Sequence, residues 1–431
     1  MPHSTLPPSR RDFLKAAVAG SVGASFSLTD AQAATKTLTL MHENSFIKTY
    51  DEYMSKTLIP AYEKETGVKV KYDLVSVGGL QTRITTAAET RSGPDMTGMA
   101  FNWPFLYSEK LIDVTDIAEE AGKASGGWHP GGTEAVVVNG KYKAVPFGNI
   151  GQLMNWRTDW FAEVGSKTFP DSWDGLLEAG TKLKKAGHPF GFELGHGFGD
   201  NHGWLYPLLW SYGAREVEPD GKTIVIDADE TARAVDFCRK FYQDTMLEDV
   251  LGWTDPSNNK AWLAQQISCT NNAQSILWLA KREFPEIGKV TDHALNPMGP
   301  TGKRFHILNP WSHGIFTHTP DPDAARAFLR WLMQPKQVGA WYASADMYYA
   351  PFLKGFDDSP AWKEEPRYIP FRDSMPTSHL PGWPAPLSRA QSESVAKYVV
   401  VDMFAKACAG ASTKDVIAAA NAQLKQIYQQ A

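Results

Sequence analysis

The chain has 431 residues, 43% of them hydrophobic, with a formal net charge of −5. That acidic balance argues against nucleic acid or an anionic membrane surface as partner, since both select a basic face. At this length a single core is not expected and two domains are.

The first element is an address rather than structure. Arg10 and Arg11 precede a mildly apolar run over residues 16–28, which ends at Ala31-Gln32-Ala33. A charged region, an apolar region and a small-residue cleavage site in this order make a secretory signal. The adjacent arginines make it resemble the twin-arginine type, which implies export in the folded state to the periplasm. The apolar run is too short and too polar to span a membrane, which needs about 20 apolar residues.

Past the signal, Thr37-Leu38-Thr39-Leu40 alternates as a strand, and Tyr50, Met54, Leu58 and Tyr62 recur at helical spacing up to Gly67. A second alternating strand runs from Val68 to Leu74, a helix from Leu80 to Thr90, and a third apolar stretch ends near Phe101. This order predicts an α/β layer with a mainly parallel sheet. Further strands are predicted at Lys141 to Phe147, Leu153 to Trp156, Phe190 to Leu194 and Ile267 to Thr270. Helices are predicted from Ser172, from Thr231 to Thr245, from Asp321 and from Ser412, and the proline-rich stretch 377–387 reads as a connector. In such sheets ligands collect beyond the carboxyl ends of strands. The loops there hold Glu43-Asn44, Gly79, Asn102-Trp103, a Gly- and His-rich run over residues 195–203, and Asn271-Asn272.

Cys238, Cys269 and Cys408 form no C-x-x-C pair, and their number is odd. They read as buried small hydrophobes, although one disulfide, its pairing undetermined, is compatible with an oxidising compartment. No phosphate-binding G-x-x-x-x-G-K-[ST] motif occurs. No cofactor or metal is expected.

Segments spread along the chain resemble the extracellular solute-binding proteins of ABC importers, in particular the family 1 group with its many sugar-binding members. They are Gly93-Pro94-Asp95-Met96, then Gly140 to Phe147 with Met154-Asn155-Trp156, then Phe169-Pro170-Asp171-Ser172-Trp173-Asp174, then residues 324–332 with Ala350-Pro351. Trp156 follows Asn155 where the family tends to place Tyr before Asn, and Ser172 and Asp174 replace Thr and Glu. The resemblance implies a two-lobed periplasmic binding protein fold, each lobe a mainly parallel sheet flanked by helices, joined by a hinge of crossing segments. The implied division is signal peptide 1–33, first lobe 34–147 and 309–375, second lobe 148–308 and 376–431. It further implies a monomer that closes on a ligand, expected to be a mono- or oligosaccharide, and delivers it to ABC permease subunits in the inner membrane, without catalysis.

Sugar recognition calls for aromatic faces and for planar polar groups that bond adjacent hydroxyls. Trp103, Trp204, Trp278 and Trp311 are the stacking candidates. Asn44, Asn102, Asn149, Asn271, Asn272 and Asn309 are hydrogen-bonding candidates, with Glu43, Asp200, Ser312, His196 and the backbone at Gly79 beside them. Trp311→Ala or Asn272→Ala is expected to weaken binding by about 1–3 kcal/mol without unfolding the protein. Other readings are a secreted glycan-active enzyme using Glu43, Glu193 or Asp200, a metal set of His196, Asp200 and His202, and iron at Tyr348-Tyr349. A polyamine would need converging acidic residues and a polyol phosphate would need Arg or Lys. The loops named above are poor in both.

Overall fold

The computed structural model describes residues 37–430; the export-signal residues lie outside that span. The chain forms strands β1 (Thr37–Glu43), β2 (Lys69–Val75), β3 (Met96–Ala100), a small hairpin of β4 (Val137–Val138) and β5 (Lys141–Tyr142), β6 (Val145–Asn149), β7 (Leu153–Arg157), β8 (Cys269–Asn272), β9 (Thr291–Ala294), β10 (His306–Ile307), β11 (Pro310–Ile315), β12 (Ala350–Pro351) and β13 (Ser378–His379). One sheet has the order β12-β6-β11-β3-β1-β2 and a second the order β8-β7-β9. Each is flanked by helices, so the two-lobed α/β architecture implied by the resemblance is the one found. No helix among the described residues is long and apolar enough to cross a membrane.

The strand directions differ from the mainly parallel expectation. β1 pairs in parallel with β2 and β3, but β11 is antiparallel to both β3 and β6, β12 is antiparallel to β6, and β7 is antiparallel to both β8 and β9. The reason lies in the connections. β7 and β11 each enter their lobe from a crossing at the rim where neighbouring strands end, so they run in reverse.

The chain crosses three times: between Asn149 and Leu153, back between Ala294 and Pro310, and out again after Pro351. In the latter two crossings β10 pairs in parallel with β13, tying them side by side. After that the last helices, Val399–Cys408 and Thr413–Gln430, pack on the second lobe against Asp229–Thr245.

Local sequence explains most elements. Ser172 caps its helix by accepting a 3.1 Å bond from the Gly175 N–H, and Asp321 caps another by accepting a 3.0 Å bond from Ala324 N–H. The expected strand at Phe190 to Leu194 does not form a continuous ladder. Phe190 only bridges Met246, while Gly191 N–H donates to Cys269 O at 2.9 Å. A Cβ at Gly195 would lie 2.1 Å from Trp253 O, so this backbone is pressed onto its neighbour.

All three cysteines are free and buried. The Cys238 and Cys408 sulfurs lie 3.8 Å apart between the packed helices, and Cys269 sits in β8.

Candidate functional site

The reversed strands decide where the site lies. Trp311, at the start of β11, pairs with Ala100 at the end of β3, so it shares a rim with Glu43 at the end of β1. In the other lobe Leu153, at the start of β7, pairs with Asn272 at the end of β8. The two rims meet in a cavity of about 20 Å³, lined by Glu43, Phe46, Val77, Ile150, Gln152, Phe198, Asp200, Asp255, Asn259, Asn272, Asn309, Trp311 and Tyr348. That volume holds about one water, so anything larger enters only if the two rims part.

A wider groove of about 1530 Å³ lies on the far side of the crossing strands, lined in part by Leu308, Ser378, His379 and Trp383. Leu308 faces this groove and the next residue, Asn309, faces the cavity, as successive side chains of an extended segment must. The smaller cavity is the candidate site, because the strand ends of both sheets converge there.

The first lobe gives this cavity an aromatic wall. Trp311 is 1% exposed; it stacks on His42 with ring centroids 5.6 Å apart and meets Tyr349 edge-on at 6.1 Å. Tyr50 stacks on Tyr349 at 4.4 Å and on Trp341 at 4.5 Å. The Tyr349 hydroxyl donates to Glu43 Oε1. Burial pushes the Glu43 carboxyl well above its usual range, and it drives the His42 imidazole down to about 4.

The second lobe gives it a wall of amides and acids. Asn272 donates from Nδ2 to Asn258 Oδ1 at 2.9 Å and to Asn259 Oδ1 at 2.8 Å. Asn258 Nδ2 donates to Asp200 Oδ2 at 2.6 Å. Phe198 N–H donates to Asp255 Oδ2 at 2.7 Å. Behind Asp200 and Asp255 stands Glu193, and one oxygen from each of the three lies within 4.8 Å of the others. Burial raises all three carboxyls, Asp255 to about 7. A Cβ at Gly197 would fall 1.8 Å from Glu193 Oε1, so only glycine lets this loop close over the carboxylate.

Of the residues picked from sequence, Glu43, Asp200, Asn272, Asn309 and Trp311 line the cavity. Asn149 supports it: its Oδ1 accepts a 2.8 Å bond from Asn309 N–H across the crossing. Asn271 is buried behind Asn272 and donates to Asn296 Oδ1 at 3.3 Å. Asn102 precedes the short helix Trp103–Leu106, and its carbonyl accepts from Ser392 Oγ at 3.0 Å. Trp103 packs edge-on against Phe198 at 5.3 Å, one layer back.

The others point elsewhere. Trp204 is core, its Nε1 donating to Glu193 O at 2.8 Å. Trp278 lies under the Arg282 guanidinium, 4.0 Å from its ring centroid. Ser312 Oγ donates to Met99 O at 3.4 Å within the sheet, Asn44 is exposed and Gly79 lies in the first turn of Val77–Thr90. His196 is exposed, bonds Asp402 Oδ1 at 2.5 Å and stacks on Tyr398 at 4.4 Å, which takes it away from Asp200. The metal set of His196, Asp200 and His202 therefore does not assemble. Tyr349 is turned to Glu43, so Tyr348-Tyr349 is not a paired iron-binding face.

Residues absent from the sequence candidates also line the cavity. Asp255 precedes Pro256 and reads as a helix start, and Gln152 falls in a hinge of three residues. Tyr348 stood out only as half of a tyrosine pair suited to iron, Phe198 only as a member of the Gly- and His-rich run, and Asn259 carried no distinguishing pattern. The converging carboxylates overturn the expectation of an acid-poor cleft, because Asp255 arrives from outside the loops first considered.

Residues 57–370 match the model of a family described as bacterial extracellular solute-binding protein. The diacetylchitobiose binding protein DasA of Streptomyces coelicolor is 26% identical over 184 residues, 42% of this chain and 42% of that relative. The chain thus matches under half the length of DasA. The maltose-bound MalE3 of T. maritima superposes with a TM-score of 0.77 at 19% identity, over 91% of this chain and 99% of the other. A sugar transporter protein from Arthrobacter chlorophenolicus with bound laminaribiose gives 0.78 at 19% identity, over 90% and 99%. At such identities these likenesses establish the fold. With the family match spanning most of the described residues, the chain belongs to the bacterial extracellular solute-binding proteins.

Proposed function

We propose that this protein is the solute-binding component of an ABC importer. It captures a carbohydrate or polyol between its lobes and hands it, unchanged, to a membrane permease. One observation carries the reading: an aromatic wall and an amide wall, on different lobes, face each other beside the crossing segments, which we take as the hinge. Trp311 and Tyr348 offer ring faces to the apolar side of a sugar, and Asn272, Asn259, Asn309 and Gln152 offer paired donors and acceptors to its hydroxyls. The sugar or polyol named for several structural relatives supports this class.

The same reading has the protein exported through the twin-arginine signal to the periplasm and acting there as a monomer. The lobes then divide as 34–147 with 309–375, and 148–308 with 376–431. A thermal-shift screen of mono- and oligosaccharides and polyols tests it, because a bound ligand stabilises the folded state by mass action. A saturable rise in melting temperature with one sugar or polyol, and recovery of that compound intact, is the expected result. Turnover of the compound would instead identify an enzyme.

A further inference from the structure

The cavity has an unbalanced charge inventory. Glu43, Asp200 and Asp255 line it, Glu193 backs it, and its lining holds no lysine, arginine or histidine. Among the described residues no salt bridge reaches any of the four. Buried carboxylates are ordinarily paired with a cation or fully hydrogen-bonded. Here Glu193 makes no well-formed hydrogen bond and is approached by the Gly197 N–H; Asp200 is met by the Asn258 and Gln152 amides, Glu43 by the Tyr349 hydroxyl and Asp255 by the Phe198 N–H, all of them uncharged donors.

A second set of groups points the same way. Gln152 and Asn309 line the same cavity at 4% and 3% exposure, and Gln152 Oε1 and Asn309 Oδ1 have no hydrogen-bond partner. These are further acceptors facing a space already rich in acceptors. Trp311 Nε1 is the one unpartnered ring donor in the lining. Neutral hydroxyls would supply donors but leave the acids without counter-charge. A protonated amine supplies three donors and a positive charge at one point. The Trp311, Phe198 and Tyr348 rings beside the acids also favour a cation over their faces.

We propose that the solute is an amine-bearing sugar or polyol, its protonated amino group held between Asp200 and Asp255 with Glu43 facing from the other lobe. This rests on reading the cleft as a carbohydrate or polyol site and narrows that class. A neutral sugar would give the acids hydroxyl donors but no positive charge. The amine brings the acidic groups of both lobes onto one charge, so it favours the closed arrangement.

Calorimetric titration of the purified chain, with matched probes, tests this. Glucosamine is compared with glucose and N-acetylglucosamine, and glucamine with sorbitol; spermidine and calcium chloride are titrated separately. In at least one matched set the amine is expected to bind about tenfold or more tighter than its hydroxyl and acetylated counterparts. Asp200→Asn and Asp255→Asn should each shrink that ratio, with folding checked by melting temperature. The ligand-side comparison stands even if a variant does not fold.

Equal or better binding of the neutral members overturns the amine proposal and leaves the carbohydrate reading in place. Tight calcium binding, with no preference for amines, makes the acidic cluster a divalent-cation site and also overturns it. Binding of spermidine with no sugar or polyol bound, or of no probe at all, overturns both.

Discussion

The two walls of the cleft are built on different principles. The first-lobe wall is packed aromatic core that surfaces at one edge: Trp311 rests on His42 and Tyr349, which in turn rest on Tyr50. The second-lobe wall is a hydrogen-bonded lattice of Asn272, Asn258, Asn259 and Asp200. One wall gains its shape from close packing and the other from directional bonds. A residue on the aromatic wall therefore serves stability and binding together. A residue on the amide wall serves mainly the geometry of its neighbours.

The largest expected effect sits on the aromatic wall. Trp311→Ala removes a fully buried indole from between packed rings and should cost about 3–5 kcal/mol of stability, measured by denaturant unfolding. This corrects the expectation that the change would spare the fold. Trp311→Phe keeps a ring in place and is the better probe of stacking. A small loss for Trp311→Ala would show that the two walls do not differ in this way.

Next comes Asn272→Ala, which leaves Asn258 and Asn259 without their shared donor. It should weaken binding of the cognate solute by about 1–3 kcal/mol in calorimetry. Wild-type affinity in this variant would remove the amide wall from the site.

A smaller effect depends on pH. Asp255 has a folded pKa of about 7 against an ordinary 3.8, because burial disfavours its charge. Below about pH 4 it is neutral whether folded or unfolded, and the folded state then keeps its proton more tightly as pH rises. The stability it contributes is thus present in acid and lost as pH rises through 7. Asp255→Asn abolishes that loss. The variant should gain on wild type by about 2 °C or more in melting temperature between pH 5 and pH 8. An unchanged difference across that range would show that Asp255 is not held neutral by burial.

The smallest effect is at His196, whose exposed pair with Asp402 lies outside the cavity. His196→Ala should leave solute affinity unchanged and alter stability by under about 1 kcal/mol. A marked loss of affinity would extend the site beyond both walls.

The difference between the walls also explains what could be read from the chain. Strand and helix periodicity made the α/β order legible, and the loops after β1 and β8 pointed to Glu43 and Asn272. The aromatic wall was only partly legible. Trp311, Trp204 and Trp278 look alike as isolated letters, and only Trp311 begins a reversed strand at the rim. The acidic side was hidden for another reason. Glu193, Asp200 and Asp255 are scattered over more than 60 positions and meet only after folding. Asp255 carries a helix-start signal that fully accounts for it locally. Chemistry assembled from separate segments leaves no spacing to read.

Leu308 and Asn309 stand back to back on the crossing, one turned to the outer groove and the other to the cleft. Under the proposed hinge motion, the β10–β13 pair between these spaces is the pivot of a see-saw. A rotation that admits a solute on the Asn309 side draws its room from the Leu308 side. The inner cleft and the outer groove are thus two measures of a single angle, and a probe placed in the groove would report the cleft.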